Sequence, residues 1–231
     1  MFKILFQGDS ITDGNRFKEE SLRWDLNHQI GHSYAYIVAA FLLKNHPGKF
    51  AFINRAVSGN TEKQLAERWQ EDTLNHKPDL LSILLGINGL GLEALDYPED
   101  KIQLALGEFD KTYRYLLDST LTTNPNVKFV IVEPFCLPAG QYKKNYDDYM
   151  KILSRKQAIV KQIAEDYNAM FIPTQNQLNE LVKQCEKDFA ELGCTIDPNE
   201  YWLWDGIHGT EALHGLLAER WLNITRGVLP V

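Results

Sequence analysis

Short runs of apolar, β-forming residues recur along the chain, separated by longer stretches in which apolar positions return every three or four residues. Lys3–Phe6 predicts a first strand, Phe50–Arg55 (FAFINR) a second and Leu80–Leu85 (LLSILL) a third. Val127–Val132 (VKFVIV) and Met170–Ile172 predict the fourth and fifth. These runs are apolar nearly throughout instead of alternating, the pattern of strands buried on both faces of a parallel sheet. Between them, Tyr34–Lys44 (YAYIVAAFLLK), Glu62–Asn75, Lys101–Thr120 and Tyr149–Asn168 have the length and periodicity of helices. The last carries Ile152, Ile159, Val160 and Ile163. Thr174–Leu192, with Leu178, Leu181, Val182 and Phe189, reads as a helical excursion after the last strand. Leu213–Val228 reads as a closing helix that turns Leu213, Leu216, Leu217 and Trp221 toward the sheet. Alternating strands and helices predict a three-layer α/β domain with right-handed crossovers. No repeat, low-complexity tract or Pro/Gly-rich linker divides the chain, so residues 1–231 are expected to form one domain.

Composition narrows the function classes. The 231 residues are 44% hydrophobic and 24% charged, an ordinary globular balance with enough length to bury a core unaided. A net charge of -7 argues against a nucleic-acid or anionic-membrane partner, because phosphate binding needs a basic patch. Cys136, Cys185 and Cys194 are odd in number and lack CxxC spacing, which predicts free thiols in place of a disulfide framework or zinc site. The opening MFKILFQGDS reaches an aspartate too soon for a signal-peptide core or a membrane span. A cytoplasmic protein without a membrane anchor is the resulting expectation; oligomeric state is not readable.

In an open parallel sheet, ligands collect beyond the carboxyl ends of the strands. GDSITDG (Gly8–Gly14) follows the first strand, NRAVSGNT (Asn54–Thr61) the second and GINGLG (Gly86–Gly91) the third. All three loops bring small, hydroxyl or amide residues to one rim. Ser10 can be a helix N-cap, a nucleophile, or both, since a helix start aims N–H groups at an anion forming beside it. Near the other end stands Asp205-Gly206-Ile207-His208. Alone it can be a turn aspartate beside a loop histidine. It can also be a base and the acceptor that orients it, the pair a nucleophilic serine requires. Thr210 is placed to cap the closing helix.

Taken together, GDSIT, NRAVSGNT, GIN and DGIH resemble the four sequence blocks of the GDSL/SGNH hydrolases, in that family's order and spacing across nearly the whole chain. EPFCLP (Glu133–Pro138) and YWLWDGIH (Tyr201–His208) are similar to stretches of its bacterial single-domain esterases. The resemblance implies a flavodoxin-like α/β/α sandwich with a five-stranded parallel sheet in the order 2-1-3-4-5. It implies a serine esterase in which Ser10 is the nucleophile, His208 its base and Asp205 the residue orienting His208. The backbone N–H groups of Ser10 and Gly59 and the Asn88 amide would form the oxyanion hole. The substrate would be a small acyl ester, with acetyl and carbohydrate esters in view, and neither metal nor organic cofactor is needed. A lysophospholipase or thioesterase would use the same residues, and a catalytically silent ligand-binding protein could be built on the same scaffold. Two positions depart from the pattern. Gly89 stands where many members carry Asp, which bears on the aim of the Asn88 amide, and Ala56 stands where glycine is frequent.

Other chemistries find less support. There is no GxSxG elbow, and a phosphoaspartate hydrolase built on Asp9 would need a carboxylate where Ile11 stands. No GxxxxGK[ST], GxGxxG or HExxH occurs. His28 and His32 are four apart but Gly31 interrupts them, so a surface or capping role is expected. His214, inside the closing helix, is expected to be structural. Trp24, Trp202 and Trp204 flank the blocks, as core anchors or as the wall of a cleft. Lys143–Asp148 reads as a solvated face or a rim of the site.

Overall fold

A computed structural model describes residues 1–19 and 29–231. Trp24 and His28 therefore lie outside the described residues. Five strands, β1 (Phe2–Gly8), β2 (Phe50–Asn54), β3 (Leu80–Leu84), β4 (Lys128–Val132) and β5 (Met170–Ile172), form one parallel sheet in the order β2-β1-β3-β4-β5. This is the expected three-layer α/β architecture and strand order. The reading of strands as buried on both faces holds for β3 and for the inner part of β1 and β4. The edge strands β2 and β5 are only partly covered, since each lacks a neighbour on one side.

Alternation within the strands divides the core in two. Ile4 and Phe6 of β1 pack with Tyr34, Val38 and Leu42 of α2 (Tyr34–Asn45). On the same face lie Leu178 and Val182 of α6 (Gln175–Leu192) and Leu213, Leu217 and Trp221 of α8 (Glu211–Thr225). Leu5, between them in sequence, points the other way. It joins Leu65 and Trp69 of α3 (Glu62–Asp72), Phe109 and Tyr113 of α4 (Glu99–Thr123) and Val160 and Ile163 of α5 (Tyr146–Asp166). Both tryptophans carried into this core have their indole N–H groups paired. Trp221 donates its indole N–H to Ser82 Oγ at 3.0 Å, and Trp69 donates to the Leu116 carbonyl at 3.0 Å. Such pairing avoids the desolvation cost of about 1–3 kcal/mol for an unmet buried polar group.

Helix ends depart slightly from the periodicity. The pattern over Glu62–Asn75 runs on after α3 ends at Asp72, because Leu74–His76 tightens into a 3-10 turn. Two short helices carry no periodic signal at all: α1 (Ser10–Asp13) and α7 (Pro198–Trp202), whose cap is Asp197. Among the described residues, no helix is long and apolar enough to cross a membrane. Cys136 is buried, and Cys185 and Cys194 are half-buried; all three are free thiols.

Parallel register fixes where the loops emerge. Gly8 pairs with Leu84 and Phe6 with Asn54, so β1, β2 and β3 end at the same edge of the sheet. Their three following loops consequently start side by side. Gly8 permits a close approach of β1 and β3, since a Cβ there would lie 2.2 Å from the Leu84 carbonyl oxygen.

Candidate active site

At the carboxyl edge of the sheet the chain leaves β1 at Gly8 and enters α1, a single helical turn. Asp9 is its N-cap, accepting the backbone N–H of Ile11 at 3.1 Å, and Ser10 is its first residue. The reading of Ser10 as a cap is thereby corrected. Asp9 takes that role with its carboxylate, and the Ser10 hydroxyl is left to face the site. Ser10 still lies in the first turn, whose N–H groups have no acceptor within the helix. With only four residues, α1 contributes local N–H groups more than a macrodipole.

Ser10 Oγ lies 2.8 Å from His208 Nε2, and His208 Nδ1 lies 2.6 Å from Asp205 Oδ2. The DGIH segment achieves this by turning on itself. Asp205 Oδ1 accepts the backbone N–H groups of Ile207 and His208 at 3.1 and 2.8 Å, which leaves Oδ2 for the ring. Further bonds from Leu137 N to Gly206 O (2.9 Å) and from Trp204 N to His208 O (3.2 Å) tie the turn to its surroundings. Burial pushes the Asp205 carboxyl up. The hydrogen bonds from the His208 ring and from the two N–H groups outweigh it and hold Asp205 below the usual carboxylate range. The bond to Asp205 likewise holds the His208 imidazole above its ordinary value, against the opposing effect of burial. Burial pushes fully buried Asp9 up to about 7, against the Ile11 N–H and the charges of His208 and Lys156.

The second loop is bonded to the turn carrying Ser10, and the third loop to the second. Asp13, buried at the end of α1, accepts the Ser58 N–H at 2.8 Å, and Arg16 Nε donates to the Ala56 carbonyl at 2.9 Å. These bonds fasten the segment carrying Gly59, an exposed residue with φ of 80°, to the turn carrying Ser10. Ala56 is fully buried and is not among the non-glycine residues with positive φ, so its Cβ is accommodated. Asn88 Nδ2 donates to the Asn60 carbonyl at 3.2 Å, which uses one of its two hydrogens. At Gly89 the backbone has φ of 85°, a region that penalises any side chain, and a Cβ would meet Thr61 Cγ2 at 3.3 Å and Glu62 Oε2 at 3.8 Å. An aspartate at 89 would face both backbone strain and the neighbouring Glu62 carboxylate. Glycine suits this loop as it is folded here.

Around these residues, His214 accepts the Tyr34 backbone N–H on Nδ1 at 3.2 Å, and burial pushes its ring down to about 4. Trp204 is 59% exposed and stacks on the His208 ring, with centroids 5.6 Å apart and an interplanar angle of 18°. Trp202 is half-buried. Lys143 pairs with Asp197 at 2.9 Å on the surface. Among the described residues, no group of three or more His, Cys, Asp or Glu side chains is placed to hold a metal ion. Asp13 and Arg16 bond to the second loop and Lys156 to the third, roles that the motifs themselves do not signal. For Lys156 a signal existed: it occupies the apolar stripe Ile152–Lys156–Val160–Ile163, where a charge is out of place.

With this geometry in hand, the comparisons with known proteins are specific. The model of the GDSL-like lipase/acylhydrolase family matches residues 6–216. An acetylxylan esterase of Geobacillus stearothermophilus is 32% identical over 224 residues, covering 96% of this chain and 92% of its own. The crystal structure of that esterase superposes with a TM-score of 0.68 at 31% identity, covering 96% of this chain and 93% of the other. A candidate GDSL-like lipase from Parabacteroides merdae gives a TM-score of 0.79 at 30% identity, with 97% and 95% of the two chains covered. Catalytic mutants of the Geobacillus enzyme have also been solved, one each at a serine, an aspartate and a histidine, the last two three positions apart.

Proposed function

The chain belongs to the GDSL-like lipase/acylhydrolase family and is a carboxylic ester hydrolase, and from that premise we propose that it cleaves small acetyl esters of carbohydrates through a Ser10–His208–Asp205 triad. The observation that carries the mechanism is the continuous hydrogen-bonded chain from Ser10 Oγ through the imidazole to Asp205, at 2.8 and 2.6 Å. In the Geobacillus relative, the catalytic aspartate and histidine are separated as Asp205 and His208 are here.

Ser10 Oγ attacks the ester carbonyl carbon while its proton passes to His208 Nε2. Asp205, an acceptor toward Nδ1–H, favours the tautomer that leaves Nε2 free and stabilises the imidazolium that forms. The new oxyanion is received by the N–H groups of Ser10 and Gly59 and by the hydrogen of the Asn88 amide not used by Asn60. One such donor typically contributes about 2.7–4 kcal/mol to the transition state. His208 then protonates the departing alcohol. Water, deprotonated by the same ring, releases the acyl group and regenerates Ser10.

The substrate reading rests on two supports. One is the likeness to an acetylxylan esterase over almost the full length of both chains. The other is Trp204, whose exposed face beside His208 offers an apolar platform of the kind that packs against a sugar ring. A panel of p-nitrophenyl esters from acetyl to palmitoyl, together with acetylated xylo-oligosaccharides, tests it. The expected profile has kcat/KM highest for acetyl esters and falling as the acyl chain lengthens, with acetate released from the oligosaccharides. A maximum at octanoyl or beyond would replace the carbohydrate reading with a lipid or thioester one. No turnover of any ester by folded protein would leave only a binding role.

A further inference from the structure

Among the described residues, a buried cation, Lys156, has no part in the triad. It lies on α5 and is 2% exposed. Its ammonium donates to the Gly86 carbonyl at 2.9 Å and to the Asn88 carbonyl at 2.6 Å, and sits 5.0 Å above the centre of the Phe109 ring. Two turns earlier on the same helix, the fully buried Tyr149 donates its hydroxyl to the intervening Ile87 carbonyl at 3.4 Å. Three consecutive carbonyls of the third loop are therefore turned into the protein and held by one helix. Asn88 is the residue at which this clamp ends.

Such an arrangement is costly. The ammonium gives up its hydration, and a methionine would fill the same volume without that penalty. Among the described residues, no carboxylate lies within 4.0 Å of the Lys156 ammonium. Glu62, Glu93 and Asp9 act on it only at longer range, and burial lowers its proton affinity to about 8. Two carbonyls of the loop are what the charge holds directly.

We propose that Lys156 is a positioning residue for the oxyanion hole, fixing the main chain of Gly86–Asn88 so that the Asn88 amide is aimed before substrate arrives. The Asn60 carbonyl restrains the amide from one side and Lys156 restrains the backbone from the other. Gly89, with its positive φ, gives the loop little rigidity of its own, so α5 supplies it. The proposal rests on the assignment of Asn88 to the oxyanion hole.

A double-mutant cycle between Lys156→Met and Asn88→Ala, measured with p-nitrophenyl acetate, separates the two ideas. Lys156→Met is expected to lower kcat about 10–100-fold with KM within about twofold, because the amide's contribution belongs to the transition state. In the Asn88→Ala background the same change is expected to cost less than about threefold, since the group it aims is gone. Lys156→Gln, which keeps an N–H donor without the charge, should recover part of the loss and carries the same cycle if Lys156→Met does not fold. Equal losses in both backgrounds, or unchanged kcat in a folded Lys156 variant while Asn88→Ala is impaired, would overturn the role of Lys156 alone. Unchanged kcat in Asn88→Ala would remove the oxyanion-hole assignment, and the proposal with it.

Discussion

Ser10→Ala is expected to lower kcat for p-nitrophenyl acetate by about 10⁶-fold, the loss typical of removing a triad nucleophile. The hydroxyl lies 2.8 Å from its base, His208 Nε2, and Ser10 is the first residue of a helical turn. His208 without Ser10 could still activate water, but with no acyl-enzyme to divide the reaction into two easier steps. The fold should hardly register the change. Asp9, not Ser10, caps α1, so removing the Ser10 hydroxyl leaves the turn's cap in place. A stability change below about 1 kcal/mol in thermal unfolding is expected, within the range of substitutions that touch no core, cap or buried network. Loss of activity together with a large loss of stability would mean that Ser10 is structural.

Asp205→Asn should cost about 10⁴-fold in kcat. The amide is nearly isosteric, yet it cannot meet all its partners. Asp205 accepts on both oxygens, from two backbone N–H groups on Oδ1 and from the His208 ring on Oδ2. An asparagine offers one acceptor atom. If its oxygen keeps the backbone bonds, its NH₂ faces Nδ1 and favours the tautomer that places hydrogen on Nε2, where Ser10 needs an acceptor. The substitution also has a signature in pH. Asp205 raises the His208 pKa above its ordinary value, and the imidazole acts as base only when neutral. In the parent protein kcat/KM therefore falls as pH drops through this raised value. Without the carboxylate the raising interaction is lost, so the acid limb of whatever activity remains moves to lower pH. A limb that stays in place would show that another group governs it.

The sequence makes some parts of this arrangement easy to read and hides others for physical reasons. The five strands are legible because β1, β3 and β4 are covered on both faces over most of their length and so are apolar nearly throughout. Their order was legible only through resemblance to a family, since periodicity says nothing about which strand pairs with which. Ser10, Asp205 and His208 stand out because they fall in blocks that resemble those of a known family, Ser10 directly after β1 and Asp205 and His208 in the turn before α8. The role of Asp9 as cap was hidden by its neighbour: aspartate and serine are both good caps, and only the backbone shows which one precedes the turn. Asp13 and Arg16 bind backbone groups of a loop some 40 residues away, contacts that no local pattern encodes. Lys156 is a different case. Its place on an apolar stripe is visible, but its partners are carbonyls of Gly86 and Asn88, and carbonyls leave no mark in a sequence. Gly89, which departs from the Asp of many family members, is accounted for by its left-handed backbone and by Glu62 alongside.

The central claim, that Ser10 is the nucleophile activated by His208, is tested most directly by covalent trapping. Folded protein is treated with a p-nitrophenyl alkylphosphonate, digested with trypsin and examined by mass spectrometry. The expected result is a single phosphonyl group per chain, on the Ser10 side chain of the peptide Ile4–Arg16, absent when His208 is replaced by alanine. A stoichiometric adduct on any other residue, or none while ester hydrolysis proceeds, would contradict the assignment.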